Sequence, residues 1–327
     1  MNERVFVFGS YNIDMVSVVE EFPLPGQSVT SKGFNLGSGG KGANQAYAAQ
    51  QNGADVSFLS KIGKDQFSTY AENALERCNF YRLHLLKSDD HPTGMANIFV
   101  RESDRENFLA INLGANGNVS NQEIRCFQPE IRENKVLLVQ LENNSDAILT
   151  AMKTAKKHNV TTILNPAPYS KEVTALLPFT DIITPNETEA KKLTGITIKC
   201  LDDAKMAARI LNSLDKIANV VITLGSQGAL AYDGQEYHFV ESFKATPIDT
   251  TGAGDAFNGA LASQVAKGVS LADAVHYATA YASLAVERKG RQTCQKVIWL
   301  PSVCLGLLNK LNLNTDRKED DRDGEAS

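Results

Sequence analysis

Ile248-Asp-Thr-Thr-Gly-Ala-Gly-Asp-Ala-Phe-Asn-Gly-Ala-Leu261 joins a glycine-rich loop to the start of an apolar helix. Gly252 and Gly254 have no Cβ, so the backbone turns tightly and aims several N–H groups at one point, where the helix dipole adds its positive end. A phosphate is the natural anion for this loop. Asp255 stands beside it with a carboxylate that can take a proton from an attacking hydroxyl. The stretch therefore predicts a hydroxyl kinase.

A shorter Gly-x-Gly-Asp would more often be a simple helix cap. Here further residues favour a functional loop. The side-chain oxygens of Asp249, Thr250 and Thr251 precede the glycines and can hold a cation. The small residues within 256–260 predict a slim helix face on which a ligand can lie.

Composition limits the classes of partner. The chain has 327 residues, 43% of them hydrophobic, which is enough for one large α/β domain with an accessory piece or for two smaller domains. The formal net charge is −5, and the last twelve residues contribute six acidic and three basic side chains. Because the chain has no basic stripe and no apolar span of about 20 residues, we expect neither a nucleic-acid nor a membrane partner. A cytoplasmic location is predicted.

Apolar strands alternate with amphipathic helices along most of the chain. This alternation predicts an α/β fold with a mainly parallel sheet that has helices on both faces, and ligands bound beyond the carboxyl ends of the strands. The predicted strands cover residues 5–8, 56–59, 136–139, 161–164, 181–183 and 220–223, and the predicted helices cover 42–52, 68–78, 145–158, 187–193 and 202–214.

Two segments interrupt the alternation. Residues 15–34 and 94–113 resemble strand pairs without helices and predict a small β-sheet that serves as a lid and excludes water. We expect a single α/β kinase domain over residues 1–313. The charged residues 314–327 have no apolar anchor and predict a disordered acidic tail.

A second glycine loop is Gly37-Ser-Gly-Gly-Lys-Gly42, which fits the pattern Gly-x-Gly-x-x-Gly of dinucleotide-binding proteins. The pattern raises the hypothesis of a nicotinamide-dependent oxidoreductase. In such proteins the glycine pattern directly follows the first strand, whereas the first strand here is followed by residues 9–14, so the context does not fit. Lys41 is followed by Gly42, so the loop is not a Walker A loop either. It offers backbone access to a ligand, and Asn44 on the following helix can bind a polyol.

Polar side chains follow two of the predicted strands. Asn12 and Asp14 lie two residues apart, so in an extended segment their side chains point to the same side. An amide and a carboxylate together match the hydroxyls of a sugar, and Glu142 after another strand can complete the site. The alternative for Asn12 and Asp14 is an Asx-turn at the strand end.

Two further strand ends carry candidate nucleotide residues. Asn186 and Glu189 have the spacing of a helix capping box, and near a triphosphate the same pair can orient Mg²⁺ through its water shell. The turn Thr223-Leu-Gly-Ser-Gln-Gly228 can present backbone N–H groups to phosphates. Both alternatives stay open for Asn186 and Glu189.

With these residues in place, the chain resembles the ribokinase (PfkB-type) family of carbohydrate kinases over about residues 3 to 300. The resemblance rests on two specific signatures, Gly39-Gly-Lys-Gly-Ala-Asn44 and Asp249-Thr-Thr-Gly-Ala-Gly-Asp255. Four other segments match the family: Gly9-Ser-Tyr-Asn-Ile-Asp14, Asn165-Pro-Ala-Pro168, Thr184-Pro-Asn-Glu-Thr-Glu189 and Thr223-Leu-Gly-Ser-Gln-Gly228.

The resemblance implies an ATP-dependent kinase that phosphorylates the 5-hydroxyl of D-ribose, with Asp255 as the base. It also implies Mg²⁺ as cofactor and a homodimer joined through the lid sheets. The implied anion hole is the backbone of Gly252, Ala253, Gly254 and Asp255. The implied sugar contacts are Asn12, Asp14, Gly40, Lys41, Asn44, Glu142 and Asp255. The implied nucleotide contacts are Asn186, Thr223, Gly225, Gly228 and Gly254, with Asn186 and Glu189 orienting Mg²⁺.

Members of the family are activated by a monovalent cation, usually K⁺, beside the anion hole. Asp249 and Thr251 match the first half of that cation site. The second half departs from the family pattern, because Cys294 stands about where a serine oxygen is expected. Activation by K⁺ and its loss are both open on this sequence.

Other functions compete with a ribose kinase. A relative acting on 2-deoxyribose or on a nucleoside is the nearest one, and Asn12 favours ribose because an additional hydroxyl needs a partner. A catalytically silent sugar-binding or regulatory protein is the alternative from another class. The presence of Asp255, Gly252 and Gly254 argues against it.

Overall fold

The computed structural model describes residues 3–104, 106–215 and 217–287. The strands of this part of the chain are β1 (Arg4–Phe8), β2 (Asn12–Val19), β3 (Gly33–Gly39), β4 (Asp55–Gly63), β5 (Arg82–Ser88), β6 (Gly94–Arg101), β7 (Asn107–Asn112), β8 (Val136–Val139), β9 (Thr161–Leu164), β10 (Ile182–Ile183), β11 (Asn219–Thr223), β12 (Gly228–Tyr232) and β13 (Tyr237–Glu241). The helices are α1 (Lys41–Gln51), α2 (Ser68–Glu76), α3 (Asn121–Cys126), α4 (Gln128–Ile131), α5 (Ser145–Lys157), α6 (Glu187–Thr194), α7 (Leu201–Ser213), α8 (Ala253–Lys267) and α9 (Leu271–Ala285).

The large sheet is parallel over most of its width. Its strand order is β13-β12-β11-β10-β9-β8-β1-β4-β5, and only the pairs β11–β12 and β12–β13 are antiparallel. Central strands such as β8, with the sequence Val-Leu-Leu-Val, are buried along their whole length. A strand that is covered on both faces needs apolar side chains at every position, which is why these segments are continuous apolar runs.

Helices cover the two faces of the large sheet. Phe6 and Phe8 of β1 point into a core that includes the apolar stripe of α5, where Ala147, Ile148 and Met152 recur at helical spacing. The alternate residues of β1 point to the other face, where α1 and α8 contact the strand. The predicted α/β fold with a mainly parallel sheet is confirmed.

A second, smaller sheet has the strand order β3-β2-β6-β7. Its central pair β2–β6 is parallel, and the outer pairs β2–β3 and β6–β7 are antiparallel. β7 is exposed along its whole length. The predicted strand pairs are thus present, but β2 begins at Asn12 and β3 ends at Gly39, so the small sheet extends into the segments that carry the candidate sugar residues.

The sequence analysis missed three strands of the large sheet. β5 lies at one edge, and β12 and β13 form the antiparallel extension at the other. β5 and β13 are edge strands and only partly buried, so their mixed composition lacks the continuous apolar run of a central strand. β12 is mostly buried, but its sequence Gly-Ala-Leu-Ala-Tyr is rich in glycine and alanine, which are uncommon in strands. The predicted domain boundary at residue 313 and the predicted acidic tail, 314–327, lie outside the described residues.

Candidate active site

Glu142 is the centre of a buried polar cluster just after β8. Its side chain is 3% exposed, and Oε2 accepts hydrogen bonds from Ser10 Oγ at 2.5 Å and from the backbone N–H of Lys41 at 2.9 Å. Asn12 Nδ2 lies 3.5 Å from the same oxygen. The cluster therefore joins the carboxyl ends of β1 and β8 to the first residue of α1.

Asn12 and Asp14 lie on β2 and are both buried, as expected for two positions on one side of a strand. Asn12 Oδ1 accepts a hydrogen bond from Asn116 Nδ2 at 2.9 Å, which fixes the direction of its amide. Gly39 on β3 lies beside Asp14, because a Cβ built on Gly39 would come within 2.3 Å of both carboxylate oxygens. Only glycine leaves room for the Asp14 carboxylate at this place.

Asp255 is the third residue of α8 and is 7% exposed. Its Oδ2 accepts a hydrogen bond from Asn44 Nδ2 at 3.0 Å, and its Oδ1 accepts one from Gln45 Nε2 at 2.9 Å. Both donors belong to the first turns of α1, whose first N–H binds Glu142. One short helical segment therefore joins the Asp255 and Glu142 carboxylates.

The glycine loop before α8 is open. Gly252 has φ 82°, which strongly favours glycine, and a Cβ at Gly252 or Gly254 would meet nothing within 4 Å. The N–H of Ala256 bonds back to the Gly252 carbonyl at 2.8 Å, while the N–H of Ala253 donates to the Thr250 carbonyl at 3.2 Å. Ala253 is thus engaged within the turn, which corrects the expectation that its N–H is available to an anion.

The small residues of α8 serve helix packing. A Cβ on Gly259 would lie 2.4 Å from the carbonyl oxygen of Gln45 and 2.5 Å from Ala48 Cβ, so α1 and α8 approach closely at this point. At Gly259 this face of α8 therefore packs against α1 and leaves no space for a ligand, contrary to the expectation for that position. Gly259 and Asp255 are four residues apart on the same face, and the close approach brings Asp255 to Asn44 and Gln45.

Comparisons with known proteins show the family of the chain. The family model described as pfkB family carbohydrate kinase matches residues 2–298. The chain belongs to this family. It is 37% identical over 294 residues to a ribokinase of Haemophilus influenzae, which covers 90% of this chain and 95% of that protein. It is 32% identical over 291 residues to a deoxyribokinase of Salmonella typhi, covering 88% and 94%.

A solved structure supports the fold at the level of the backbone. The Arabidopsis thaliana ribokinase complexed with ribose and ATP superposes with a TM-score of 0.80 and 29% sequence identity, over 89% of this chain and 94% of that one. The predicted resemblance to the ribokinase (PfkB-type) family is therefore confirmed.

In this carbohydrate kinase, Asn186 and Glu189 form the capping box of α6. Asn186 Oδ1 accepts from the Glu189 N–H at 2.9 Å, and Glu189 Oε2 accepts from the Asn186 N–H at 3.0 Å. Burial raises the pKa of Glu189, the Asn186 N–H and the charges of Lys41 and Lys192 oppose that rise, and the charge of Asp255 adds to it. Glu189 therefore has a capping role, and its pKa is affected by the charges of Lys41 and Asp255.

The other candidate nucleotide residues lie in or beside the turn after β11, and only some of them are close to Asn186. Thr223 pairs with Asn186 in a parallel bridge, and Gly225 is exposed next to them with φ 54°. Gly228 is buried instead, and a Cβ there would lie 2.0 Å from the carbonyl oxygen of Val240. Packing against β13 accounts for the glycine at position 228.

The first half of the predicted cation site is a turn. Asp249 Oδ1 accepts a hydrogen bond from the Thr251 N–H at 2.9 Å, and the N–H groups of Ile248 and Asp249 both donate to the Val286 carbonyl. Cys294, the candidate for the second half, lies outside the described residues.

The sequence analysis missed the buried residues that hold the candidate residues in place. Gln45 and Asn116 are fully buried and bind Asp255 and Asn12, respectively. Gln140 and Asn165 follow β8 and β9 directly, so polar residues immediately after buried strands were a usable signal. No comparable signal marks Asn116, because its partner is more than 100 positions away along the chain.

Membrane-spanning helices and metal clusters are both absent from the described residues. No helix within them is long and apolar enough to cross a membrane. In the same part of the chain, no group of three or more His, Cys, Asp or Glu side chains could hold a metal ion.

Proposed function

We propose that the protein is an ATP-dependent sugar kinase that phosphorylates the 5-hydroxyl of D-ribose and releases D-ribose 5-phosphate and ADP. The observation that carries the proposal is the Asp255 carboxylate, buried at the start of α8 behind an open glycine loop and joined through α1 to the polar cluster of Glu142. Family membership and the ribokinase relatives support D-ribose as the substrate.

Asp255 is the proposed general base. Its two contacts to α1 are neutral amide N–H groups, which orient a carboxylate without neutralising its charge. The carboxylate thus accepts the proton of the 5-hydroxyl as that oxygen attacks the γ-phosphorus of ATP, and the bond to the β-phosphate oxygen breaks.

Asn12, Asp14 and Glu142 are proposed to bind the sugar hydroxyls, together with Gly40, Lys41 and Asn44. The first three are buried and offer both donors and acceptors. Gly40 has φ 93° at the N-terminus of α1, where its Cβ would clash with the β1–β2 connection. This packing brings the backbone at 40–41 next to Glu142.

The N–H groups of Gly254 and Asp255 are proposed to stabilise the charge that develops on the transferred phosphoryl group. They precede Ala256, whose N–H already bonds back into α8, so helix geometry leaves them for an external acceptor. The absence of a side chain at Gly252 and Gly254 keeps the space in front of them open.

The nucleotide is proposed to bind at Thr223, Gly225 and Asn186, with Mg²⁺ carried on its phosphates. Asn186 Oδ1 and Glu189 Oε2 are used in the capping box, which leaves the second carboxylate oxygen of Glu189. This donor set fits an ion that keeps most of its waters rather than a cage of protein ligands. Bound Mg²⁺ would neutralise phosphate charge during transfer.

A monovalent cation, K⁺ in the first instance, is proposed to bind at Asp249 and Thr251 next to the anion hole. The turn formed by these residues ends directly at Gly252, so a cation there adds positive charge beside the developing phosphate charge. The K⁺ dependence of turnover tests this part of the proposal.

The small sheet is proposed to act as a lid and as the contact of a homodimer. Its outer strands expose large apolar side chains, with Phe34 63% and Phe108 61% exposed and Leu36, Leu109 and Ile111 close to 40%. A row of exposed apolar residues on a sheet is typical of a protein interface. Light scattering of a Phe34→Ser/Phe108→Ser variant should show a monomer, and an unchanged mass would contradict this interface. A cytoplasmic location is proposed because ATP and Mg²⁺ are available there.

A kinase acting on 2-deoxyribose is the second candidate, because the deoxyribokinase relative covers nearly the whole chain. The two sugars differ by one hydroxyl, and a site built to bind that hydroxyl rejects the analogue without it. Asn12 is buried with its amide fixed by Asn116, so it offers a donor in one direction only.

The test is ADP release with MgATP for D-ribose, 2-deoxyribose, fructose and a nucleoside, each with and without K⁺. We expect the highest kcat/KM for D-ribose. A preference for another acceptor would replace the substrate and keep the chemistry. No ADP release with any of the four would contradict the proposed function.

A further inference from the structure

Gln45 is fully buried, yet it contacts the proposed base. Its side chain is 0% exposed, and Nε2 donates to Asp255 Oδ1 at 2.9 Å and to Asn165 Oδ1 at 3.0 Å. Its Oε1 accepts from Gln140 Nε2 at 2.7 Å. Both Nε2 hydrogens and one Oε1 lone pair are therefore used in a site without water access.

The direction of this chain of amides is fixed by its ends. The Asp255 carboxylate only accepts, so Nε2 of Gln45 must face it and Oε1 must face Gln140. Asn165 in turn donates through Nδ2 to the Thr184 carbonyl at 3.0 Å, which leaves its Oδ1 for Gln45. The Gln45 side chain thus has one orientation that satisfies all of its partners.

These hydrogen-bonded amides connect Asp255 to the large sheet. Gln140, Asn165 and Thr184 follow the strands β8, β9 and β10, which lie in the middle of the large sheet. A second branch leads from Thr184 Oγ1 to Asn258 Oδ1 and from Asn258 Nδ2 to the Gly254 carbonyl at 2.8 Å. The sheet therefore holds both the Asp255 carboxylate and the loop in front of it.

We propose that Gln45 is a positioning residue for phosphoryl transfer, which holds the Asp255 carboxylate in the orientation that accepts the proton of the acceptor hydroxyl. This inference rests on the proposed function of Asp255. Asn44, which binds the other oxygen, is half-buried and reaches the space of the substrate, whereas Gln45 does not. Gln45 therefore acts on catalysis through Asp255, without a contact to the sugar.

The test is a double-mutant cycle in kcat at saturating D-ribose and MgATP, with Gln45→Met, Asp255→Asn and the double variant. Met preserves length and volume but removes the two donors. We expect Gln45→Met to lower kcat about tenfold to a hundredfold, because a displaced catalytic group has effects of this size. The KM for ribose should change less than about threefold, since the sugar contacts remain.

The cycle separates positioning from a general structural role. In the Asp255→Asn background, Gln45→Met should change kcat by less than about twofold, because the group it positions no longer acts as a base. The matched control is Gln50→Met on the same helix, whose Nε2 binds the carbonyls of Cys78 and Asn79 away from the site. This control should keep kcat and KM.

Each outcome decides between the two proposals. A wild type that releases ADP but is indifferent to Asp255→Asn overturns the role of Asp255, and no ADP release at all overturns the proposed function together with this inference. If Asp255→Asn lowers kcat but the effects of the two substitutions are additive, the role of Gln45 alone is overturned. The same holds if Asp255→Asn lowers kcat and Gln45→Met keeps the wild-type kcat. Should Gln45→Met not fold, Gln45→Leu removes the same donors with a different apolar shape, and wild-type kcat in that variant equally contradicts positioning.

Discussion

The two glycine loops differ in what surrounds their glycines. In the loop before α1, added Cβ atoms would meet Asp14 at Gly39, the β1–β2 connection at Gly40 and the Gly9 backbone at Gly42, all within 2.9 Å. In the loop before α8, Gly252 and Gly254 face open space. The first loop uses glycine so that chain segments can touch, whereas the second leaves space at its glycines, where we propose that the phosphoryl group binds.

The two loops should therefore respond differently to substitution. The packed loop builds the wall that holds Asp14 and Glu142, and changes there should first affect folding. The open loop lies next to Asp255, and changes there should first affect turnover. Each of the following variants tests one side of this difference.

Asp255→Asn should have the largest effect. The amide cannot accept the proton of the hydroxyl, so kcat should fall by about two orders of magnitude or more, while ribose binding stays nearly intact. Single-turnover kinetics and calorimetric ribose titration measure the two quantities. A variant with near-normal turnover would remove Asp255 from the role of base.

Gly42→Ala should destabilise the fold. The new Cβ would lie 2.4 Å from the Gly9 carbonyl carbon and the Ser10 nitrogen, and backbone atoms cannot yield as a flexible side chain can. We expect a loss of about 2 to 3 kcal/mol in the free energy of unfolding, measured by urea denaturation. Gly33→Ala is the matched control, because a Cβ there meets nothing within 4 Å. Equal stability of both variants would refute the packing argument.

Gly254→Ala should show the opposite behaviour. The helix gains alanine in place of glycine and no atom is displaced, so stability should rise by up to about 1 kcal/mol. Turnover should fall about tenfold, because the methyl group takes space in front of the proposed anion hole. Unfolding curves and kcat for the same preparation give both values. Wild-type kcat would mean that the open space is not used.

The sequence predicts these loops well and their partners poorly. The apolar runs of β1, β8 and β9 identify the central sheet, and the two signatures identify the family, because these features are local. The contacts of Asp255 with Asn44 and Gln45 span 211 and 210 positions and depend on the close approach of α1 and α8 at Gly259. No local pattern contains the distance between α1 and α8, so the sequence alone predicts space for a ligand at Gly259.

The same limit applies to the two roles that the sequence predicts for Glu189. Its spacing from Asn186 predicts a capping box, which the structure contains, and also a residue that faces the nucleotide. A local pattern cannot distinguish these roles. The capping box uses only one carboxylate oxygen of Glu189, so the same side chain still has its second oxygen for another contact.

Glu189→Gln should have the smallest effect, and the size of that effect depends on pH. Burial raises the folded-state pKa of Glu189 above the ordinary glutamate value of 4.5, so the folded state binds a proton more readily than the unfolded chain and stability falls as pH rises through the folded pKa. Gln retains the capping hydrogen bond and carries no charge. The variant should therefore be slightly more stable than wild type at pH 7, and the difference should disappear below pH 4.5, where both states of the wild type are protonated. Urea denaturation at pH 4 and pH 7 measures this change, and a variant that is less stable at pH 7 would show that the nearby charges of Lys41 and Lys192 outweigh the cost of burial.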